Sequence, residues 1–156
     1  MKKSLVMLAV MIQFLCFDVA LAEGLCLYKE REIFNCEFSQ SMSSLCESSD
    51  GSIIYRSGEK NKIKLEISNR RKENFFYLSS RPLVGGGETH VRFNNGEYTY
   101  YMFDRMSVTK DGSDSSAGVI AFKNGRIIFN RTCANDASVR QRGYQILPRE
   151  DFNDIR

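Results

Sequence analysis

The sequence lacks several residue types that common functional sites need. It contains no tryptophan, a single histidine, His90, and only two prolines among its 156 residues. Without Trp, Phe and Tyr must fill any core, and one His cannot build a metal site of several imidazoles. The charges nearly balance, with 22 Lys and Arg against 19 Asp and Glu, which excludes a strongly basic nucleic-acid binder. No Pro-rich linker marks a domain boundary, so the sequence predicts one core.

The apolar run near the N terminus is too short to cross a membrane. It covers 5–17, follows a basic start and precedes Ala20-Leu21-Ala22, a small-x-small cleavage site. A transmembrane helix needs about 20 apolar residues, so this pattern predicts a signal peptide over 1–22 that is cleaved after Ala22. Residues 23–156, which number 134 (156 minus 22), are then expected to form a single periplasmic or secreted bacterial β domain without a transmembrane segment.

Cysteine usage agrees with export. One of the five cysteines, Cys16, leaves with the signal peptide, and an even number remains: Cys26, Cys36, Cys46 and Cys133. An even count in an exported chain is typical of a disulfide framework, here of two disulfides. No Cys-x-x-Cys pair is present, so a structural metal site is not expected.

Four cysteines permit three connectivities, and local spacing favours one of them. Two short strands, joined by the polar residues 39–43, would form a hairpin that places Cys36 opposite Cys46. Cys26 would then pair with Cys133 and tie the first strand to the last. The alternative is Cys26–Cys36 with Cys46–Cys133.

Alternation of apolar and polar residues runs through the rest of the chain. Ile63, Leu65 and Ile67 point to one face of a predicted strand, and charged residues lie between them. Asn-Gly pairs at 95–96 and 124–125 predict type I′ hairpins, because they supply the positive φ that this turn requires. Turn signals recur about every ten residues, which predicts an all-β fold, an antiparallel β-sandwich or small barrel of about eight strands.

The remaining segments are predicted to be loops. The polar residues 111–117 form one loop, and residues 81–89, which include three glycines, form another. No stretch has convincing helical periodicity, and at most a turn of helix is expected after Pro148.

Several short motifs follow one another along the chain. They are Phe34-x-Cys36, Ser44-Leu45-Cys46, Tyr55-Arg56-x-Gly58, Ile63-x-Leu65, the glycine run after Arg81, Arg92-Phe93-x-x-Gly96-x-Tyr98-x-Tyr100, Gly118-Val119 and Cys133. Together these motifs resemble a family of small exported bacterial β-rich proteins without assigned function. The resemblance extends over residues 34–147 and implies a secreted β protein with no inherited activity. A looser similarity, to bacterial periplasmic lysozyme inhibitors, implies a small disulfide-bonded sandwich or barrel.

The sequence does not predict an enzyme. Nucleophilic catalysis usually needs a base beside the nucleophile, but no free cysteine remains and no Gly-x-Ser-x-Gly elbow is present. His90 is interpreted as an exposed residue at a strand end. Pairs of carboxylates can hydrolyse glycosides, and the candidates are Glu47, Asp50, Glu97 and Asp104. Their positions at predicted turns and strand ends favour ordinary solvated charges.

Aromatic and glycine-rich stretches supply the candidate binding residues. Tyr98 and Tyr100 point to one face of their predicted strand and Tyr101 to the other. These tyrosines either pack in the core or form an exposed patch for sugar or protein contact. Arg92 and a mobile loop at Gly85-Gly86-Gly87 complete the candidate set.

Together these features predict an exported, non-catalytic binding module. We expect its partner to be a protein or glycan of the cell envelope, and inhibition of an envelope-directed hydrolase such as lysozyme is one form of that function. The alternatives are a cell-wall hydrolase that uses carboxylates and a structural component of the envelope. No cofactor, metal ion or nucleic acid is expected as a ligand.

Overall fold

The computed structural model of the protein describes residues 24–70 and 75–155, so the predicted signal peptide over 1–22 lies outside the described residues. The described part of the chain forms nine antiparallel β-strands and one short helix, and the strands are arranged in two sheets. The predicted all-β class is confirmed. Within residues 24–70 and 75–155, no helix is long and apolar enough to cross a membrane.

The first half of the chain forms a four-stranded sheet in which sequence neighbours are also spatial neighbours. Its strands are β1 Arg31–Glu37, β2 Met42–Glu47, β3 Ile53–Glu59 and β4 Lys62–Ser68. Side chains alternate between the two faces. Leu45, Tyr55 and Ile67 are paired across three strands and are buried, whereas Lys64 and Glu66 are exposed.

The second half forms a five-stranded sheet, again with sequential strand order. Its strands are β5 Tyr77–Leu83, β6 Gly86–Asn95, β7 Tyr98–Thr109, β8 Gly112–Lys123 and β9 Arg126–Thr132. Both predicted Asn-Gly sites lie at hairpins, but only one forms the predicted turn. Asn124 and Gly125 have φ of +50° and +76°, and two positive φ values are what a type I′ turn requires. In the β6–β7 hairpin Asn95 still pairs with Tyr98 and only Gly96 is left-handed, with φ of +58°, so the type I′ turn predicted at 95–96 is wrong. Left-handed φ carries no steric cost for glycine.

Both predicted loops are wrong. Residues 112–117 belong to β8, where they pair with β7 in an exposed hairpin. Within 81–89, only Val84 and Gly85 lie outside β5 and β6. The polar composition that suggested loops is compatible with strands here, because much of this β7–β8 extension faces solvent.

The chain after β9 returns along the free edge of β1. There the Arg140 N–H donates to the Ile33 carbonyl oxygen at 2.8 Å. Helix α1 then covers Gln141–Ile146, so the predicted turn of helix after Pro148 is wrong. The helix ends before this proline because the residue that precedes a proline avoids helical conformation.

The inner faces of the two sheets pack together as a sandwich, and no closed barrel forms among the described residues. Aromatic rings bridge the layers. The ring centroids of Tyr55 and Phe93 are 4.8 Å apart, and those of Phe38 and Phe129 are 5.8 Å apart. The core is completed by side chains with no measurable exposure, among them Ile33, Phe34, Leu45, Leu78 and Met102.

All four predicted cysteines form disulfides, but in the third connectivity. Cys26 bonds to Cys46 and Cys36 bonds to Cys133, with Cα–Cα distances of 5.6 and 5.0 Å. The predicted pairs Cys36–Cys46 and Cys26–Cys133 are wrong, and so is the alternative. Cys36 lies opposite Ser43 on the inner face, whereas Cys46 is three residues farther along β2 and points to the outer face. Side chains on opposite faces of neighbouring strands cannot meet in a disulfide.

Residues that precede β1 close the outer face of the four-stranded sheet. The Cys26–Cys46 disulfide fixes them, and a buried ion-pair cluster holds them in place. The Arg56 side chain is 2% exposed and donates to Glu30 at 3.0 Å and to Glu66 at 2.8 Å. Burial opposes the charge on Glu30, but hydrogen bonds and the charge of Arg56 outweigh burial and lower the pKa of Glu30.

Candidate functional site

The five-stranded sheet has a buried inner face and a partly open outer face. In β6, Val91 and Phe93 point into the sandwich, while His90 and Arg92 point outward. On the neighbouring strand β7, Tyr101 also points outward and meets the His90 ring edge-on at 5.9 Å. The outer face is therefore where polar and aromatic side chains of adjacent strands come together.

The predicted aromatic set is divided between the two faces. Tyr100 stacks on Phe93 inside the sandwich at a centroid distance of 5.1 Å, and Tyr98 lies beside Tyr100 at 6.4 Å. Tyr101 lies on the outer face, edge-on to Phe122 at 5.8 Å. This division follows the strand alternation that the sequence predicted. The three tyrosines do not share one surface, and only Tyr101 faces the open side.

The predicted glycine loop is a tight turn at the opposite end of β6. Gly85 has a φ of +68°. A Cβ on Gly86 would lie 2.2 Å from the carbonyl oxygen of Met106 on β7. Gly87 pairs with Met106, whereas Tyr98 pairs at the far end of β6. The glycines allow close approach of two backbones, and the structure does not bring them near the tyrosines.

His90 is completely buried, so its interpretation as an exposed strand-end residue is wrong. The His90 Nε2 atom lies 3.0 Å from Glu88 Oε1, and Glu88 also accepts a hydrogen bond from Arg81 at 2.7 Å. The Phe152 ring covers the imidazole with a centroid distance of 4.4 Å. The burial of His90 depends on Phe152, which is distant in sequence, so the local pattern around His90 cannot reveal it.

Residues 149–155, here named the C-terminal segment, lie across the outer face. At the edge of β5, the Leu78 N–H donates to the Pro148 carbonyl oxygen at 2.8 Å, and the Glu150 N–H donates to the Leu78 carbonyl oxygen at 3.1 Å. The Glu150 carboxylate also accepts from Arg92 at 2.6 Å. The predicted binding residue Arg92 is therefore held in an ion pair within the molecule.

The apolar side chains of Phe152 and Ile155 pack the rest of the C-terminal segment against the sheet. The guanidinium of Arg81 lies 4.5 Å from the Phe152 ring centroid and 3.4 Å from Asp154. Ile155 is 9% exposed. The sequence carried a signal for this docking, because Phe152 and Ile155 are isolated apolar residues in a polar tail.

An open groove of about 740 Å³ remains beside the C-terminal segment, and we name it the outer groove. Its volume lies within the range of small-molecule and peptide-side-chain pockets. The sheet forms its floor, β9 forms one wall and the C-terminal segment forms the other. The lining includes Thr99, Tyr101, Phe122, Arg126, Ile127, Asp154 and Ile155.

The outer groove combines apolar surface with polar groups. Ile127 is 53% exposed, and Arg126 is exposed and has no carboxylate partner among the described residues. Burial raises the pKa of Tyr101, which Arg92 opposes and Glu150 reinforces. The Tyr101 hydroxyl therefore stays protonated at neutral pH, and it offers a donor beside an apolar ring.

Three of the four candidate carboxylates have ordinary roles and do not line this groove. Glu47 is buried and accepts from Arg142 at 2.6 Å. Asp50 lies in the β2–β3 turn, where hydrogen bonds from Ser48 and the turn backbone lower its pKa to about 2. Glu97 lies in the β6–β7 turn. The dispersed positions do not form a carboxylate pair.

The fourth candidate, Asp104, lines a cleft of about 280 Å³ together with Asp136. Burial raises the pKa of Asp104 and the charge of Asp136 adds to this, although a hydrogen bond from the Val139 N–H at 3.0 Å acts in the opposite direction. Two carboxyl groups in one cleft, one of them with a raised pKa, are a pattern of acid–base catalysis. The same bond to Val139 also gives Asp104 a structural role.

Sequence reasoning identified Tyr101 but missed the other principal residues of the outer groove. A signal was present at the predicted turn over 124–125, because Phe122 precedes it and Ile127 follows it. A two-residue hairpin turn places such flanking residues on adjacent strands. In the structure Phe122 and Ile127 are register partners.

Comparison with known proteins adds no family assignment. No protein-family model, curated protein or solved structure matches this chain. The resemblance to small exported proteins of unassigned function stays a prediction, and function is inferred from the geometry of the chain itself.

Proposed function

We propose that the protein is an exported, non-catalytic binding module that holds a protein or glycan of the cell envelope in the outer groove. The observation that carries this proposal is an open groove of about 740 Å³ lined by Tyr101, Phe122 and Arg126. Tyr and Arg are enriched among the residues that dominate binding energy at interfaces. The two disulfides support export, because such bonds persist in oxidising compartments.

Inhibition of lysozyme is the specific form of this function that we test first. It is supported by the looser similarity to periplasmic lysozyme inhibitors and by the small, disulfide-tied β-sandwich. The partner would be a folded enzyme that inserts a surface feature into the outer groove. A glycan would use the same groove through stacking on Phe122 and a hydrogen bond from Tyr101.

The test uses residues 23–156 expressed with oxidised cysteines. Inhibition of c-, g- and i-type lysozymes and co-sedimentation with purified peptidoglycan are measured for wild type, Phe122→Ala and Tyr28→Ala. Tyr28 is 83% exposed and lies outside the groove, so it is the matched aromatic control. We expect Phe122→Ala to weaken binding about tenfold and Tyr28→Ala to leave it unchanged. Absence of wild-type binding in both assays would contradict the proposal.

A carboxylate-dependent cell-wall hydrolase is the second candidate function. It is favoured by the cleft that Asp104 shares with Asp136 and by the raised pKa of Asp104. Release of soluble fragments from purified peptidoglycan would be measured for wild type and Asp104→Asn. Loss of fragment release in a folded Asp104→Asn protein would favour the hydrolase over the binding module.

A further inference from the structure

The edge of the five-stranded sheet at β9 is apolar and open. β9 pairs with β8 on one side only, and Ile127 and Ile128 are 53% and 54% exposed. Just after β9, the Cys133 N–H donates to the Ala117 carbonyl oxygen on β8. Because hydrogen bonding alternates along an antiparallel pair, the N–H and C=O groups of Asn130 and Thr132 point away from β8. They form a row of free main-chain groups beside exposed isoleucines.

The other three sheet edges in the described part of the chain are covered or charged. The edge of β5 is covered at Leu78 by the C-terminal segment, and the edge of β1 is covered by the N–H groups of Ala134 and Arg140. The edge of β4 carries charges of both signs, Lys62, Lys64 and Glu66, and Lys64 is already paired with Glu59 at 2.6 Å. Mixed charge of this kind resists strand addition. β9 is the edge that combines open backbone, two exposed isoleucines and charge of one sign.

The charge of β9 indicates what kind of strand it accepts. Arg126 and Arg131 lie near its two ends, and β9 contains no carboxylate. Neither arginine forms an ion pair among the described residues, and Arg131 is held over the Phe129 ring at 5.4 Å. Pairing with a second copy in antiparallel orientation would bring Arg126 toward Arg131 of that copy. Like charges oppose this arrangement, whereas a segment with carboxylates complements it.

We infer that β9 binds an extended, acidic segment of a partner protein by strand addition. The inference rests on the proposed function and specifies the partner as a polypeptide. Main-chain hydrogen bonds at Asn130 and Thr132 supply affinity, and Arg126 and Arg131 select carboxylates. Because β9 is a wall of the outer groove, the added strand would extend that wall and allow its neighbouring residues to reach Ile127.

A defined peptide tests this inference. The probe is a peptide of about seven residues, the length of a typical strand, in which valine alternates with glutamate. The control peptide has lysine in place of each glutamate. Each is titrated into ¹⁵N-labelled residues 23–156. We expect the acidic peptide to shift the amide signals of Asn130 and Thr132 and to slow their hydrogen exchange, and the lysine peptide to bind at least about tenfold more weakly. Absent shifts, or shifts confined to Tyr101 and Phe122, would overturn the inference.

Variants separate the edge from the rest of the molecule. Arg126→Glu should weaken binding of the acidic peptide about tenfold, whereas the matched change Lys62→Glu on β4 should leave it unchanged. Asn130→Pro removes an outward N–H, and edge strands tolerate proline. If Asn130→Pro does not fold, Arg126→Glu decides the result. Equal binding by the Arg126→Glu and Lys62→Glu proteins would overturn the inference.

Two further outcomes have distinct meanings. A concentration-dependent dimer in sedimentation, with the Asn130 and Thr132 amides protected, would show that a second copy covers β9 and would overturn the inference. Loss of peptide binding at β9 combined with retained inhibition of lysozyme or binding of peptidoglycan would overturn this inference alone, and the proposed function would stand.

Discussion

The outer faces of the two sheets are closed by different means. The residues that precede β1 cover the four-stranded sheet through the Cys26–Cys46 disulfide and the buried Arg56 cluster. The C-terminal segment covers the five-stranded sheet through ion pairs, a main-chain hydrogen bond at Leu78 and packing of Phe152 and Ile155, without a covalent bond. The first closure is covalent and includes a buried cation, whereas the second is noncovalent and leaves the outer groove open beside it. Under the proposed function, the four-stranded sheet serves as the support and the five-stranded sheet as the recognition surface.

The ion pairs of the two closures differ in burial. The Arg56 side chain is 2% exposed, whereas the Arg92 side chain is 20% exposed. A buried ion pair that loses one partner leaves an uncompensated charge, which is strongly destabilising. A pair that retains contact with solvent costs less to break, because water hydrates the charge that is left behind. Variants of the two closures test whether this difference is real.

The largest effect should come from the disulfides. Cys36–Cys133 closes a separation of 97 residues and Cys26–Cys46 one of 20. Replacing both members of a pair by serine should lower the free energy of unfolding by about 4.7 kcal/mol for Cys36–Cys133 and about 3.3 kcal/mol for Cys26–Cys46, since loop-closure entropy grows with separation. Urea unfolding of the two double variants measures both values. Peptide mapping without reductant that finds a different connectivity would contradict the structure.

The next effect should come from the buried cation. Arg56→Ala leaves Glu30, which is 7% exposed at its side chain, without its buried partner. We expect a loss of about 3 kcal/mol in the free energy of unfolding. Lys64→Ala is the control, because Lys64 and Glu59 form an exposed ion pair whose loss should cost less than about 1 kcal/mol. Similar losses in the two variants would mean that burial of Arg56 adds nothing to the closure of the four-stranded sheet.

A smaller and local effect should follow from Arg92→Ala. This change releases the Glu150 carboxylate and loosens the C-terminal segment while the sheets remain folded. Hydrogen exchange at the Glu150 amide should accelerate about tenfold, with little change in the global free energy of unfolding. Exchange at the core residue Leu45 serves as the internal control. Acceleration at both positions would mean that the C-terminal segment stabilises the whole sandwich.

Two carboxyl groups, Glu47 in the four-stranded sheet and Asp104 in the five-stranded sheet, should change the stability of the fold with pH in opposite directions. The hydrogen bond from Arg142 lowers the folded-state pKa of Glu47 below its ordinary value of 4.5. Its stabilisation is therefore present above about pH 4.5 and is lost as the pH falls through the folded-state pKa. Burial raises the folded-state pKa of Asp104 above 3.8, so ionisation of Asp104 destabilises the fold as the pH rises.

Two variants test these signs by urea unfolding between pH 3 and 7. Glu47→Gln should show a smaller loss of stability on acidification than wild type, because its unfolded and folded states bind the same number of protons at this site. Asp104→Asn should be more stable than wild type at pH 7, since the amide oxygen still accepts from Val139 and carries no charge. The account would be contradicted if Glu47→Gln lost as much stability on acidification as wild type, or if Asp104→Asn were less stable than wild type at pH 7.

The fold was predictable to the extent that it depends on local pattern. Alternation around Ile63–Ile67 and the turns at Gly96 and Gly125 correctly predicted antiparallel strands and hairpins. The disulfides were not predictable, because β2 begins at Met42, within the predicted turn over 39–43, so Cys36 pairs with Ser43 instead of Cys46. A displacement by an odd number of residues, here three, reverses the face to which a cysteine points.

The candidate site was predictable only in part. Strand alternation placed Tyr101 on the face opposite Tyr100, and the structure agrees. The burial of His90 and the ion pair of Arg92 depend on residues of the C-terminal segment, and 58 residues separate Arg92 from Glu150. Contacts at such separation have no signature in the local spacing of a single sequence.

Site-specific photo-crosslinking tests the central claim most directly. A photoreactive p-benzoylphenylalanine is placed either at position 127 on β9 or at position 63 on β4, where the native isoleucines are 53% and 42% exposed. The protein is irradiated in cells that export it. Recognition by the five-stranded sheet predicts a defined cross-linked partner from position 127 and none from position 63. A partner captured from position 63, with none from position 127, would contradict the division of the molecule into a supporting sheet and a recognition sheet.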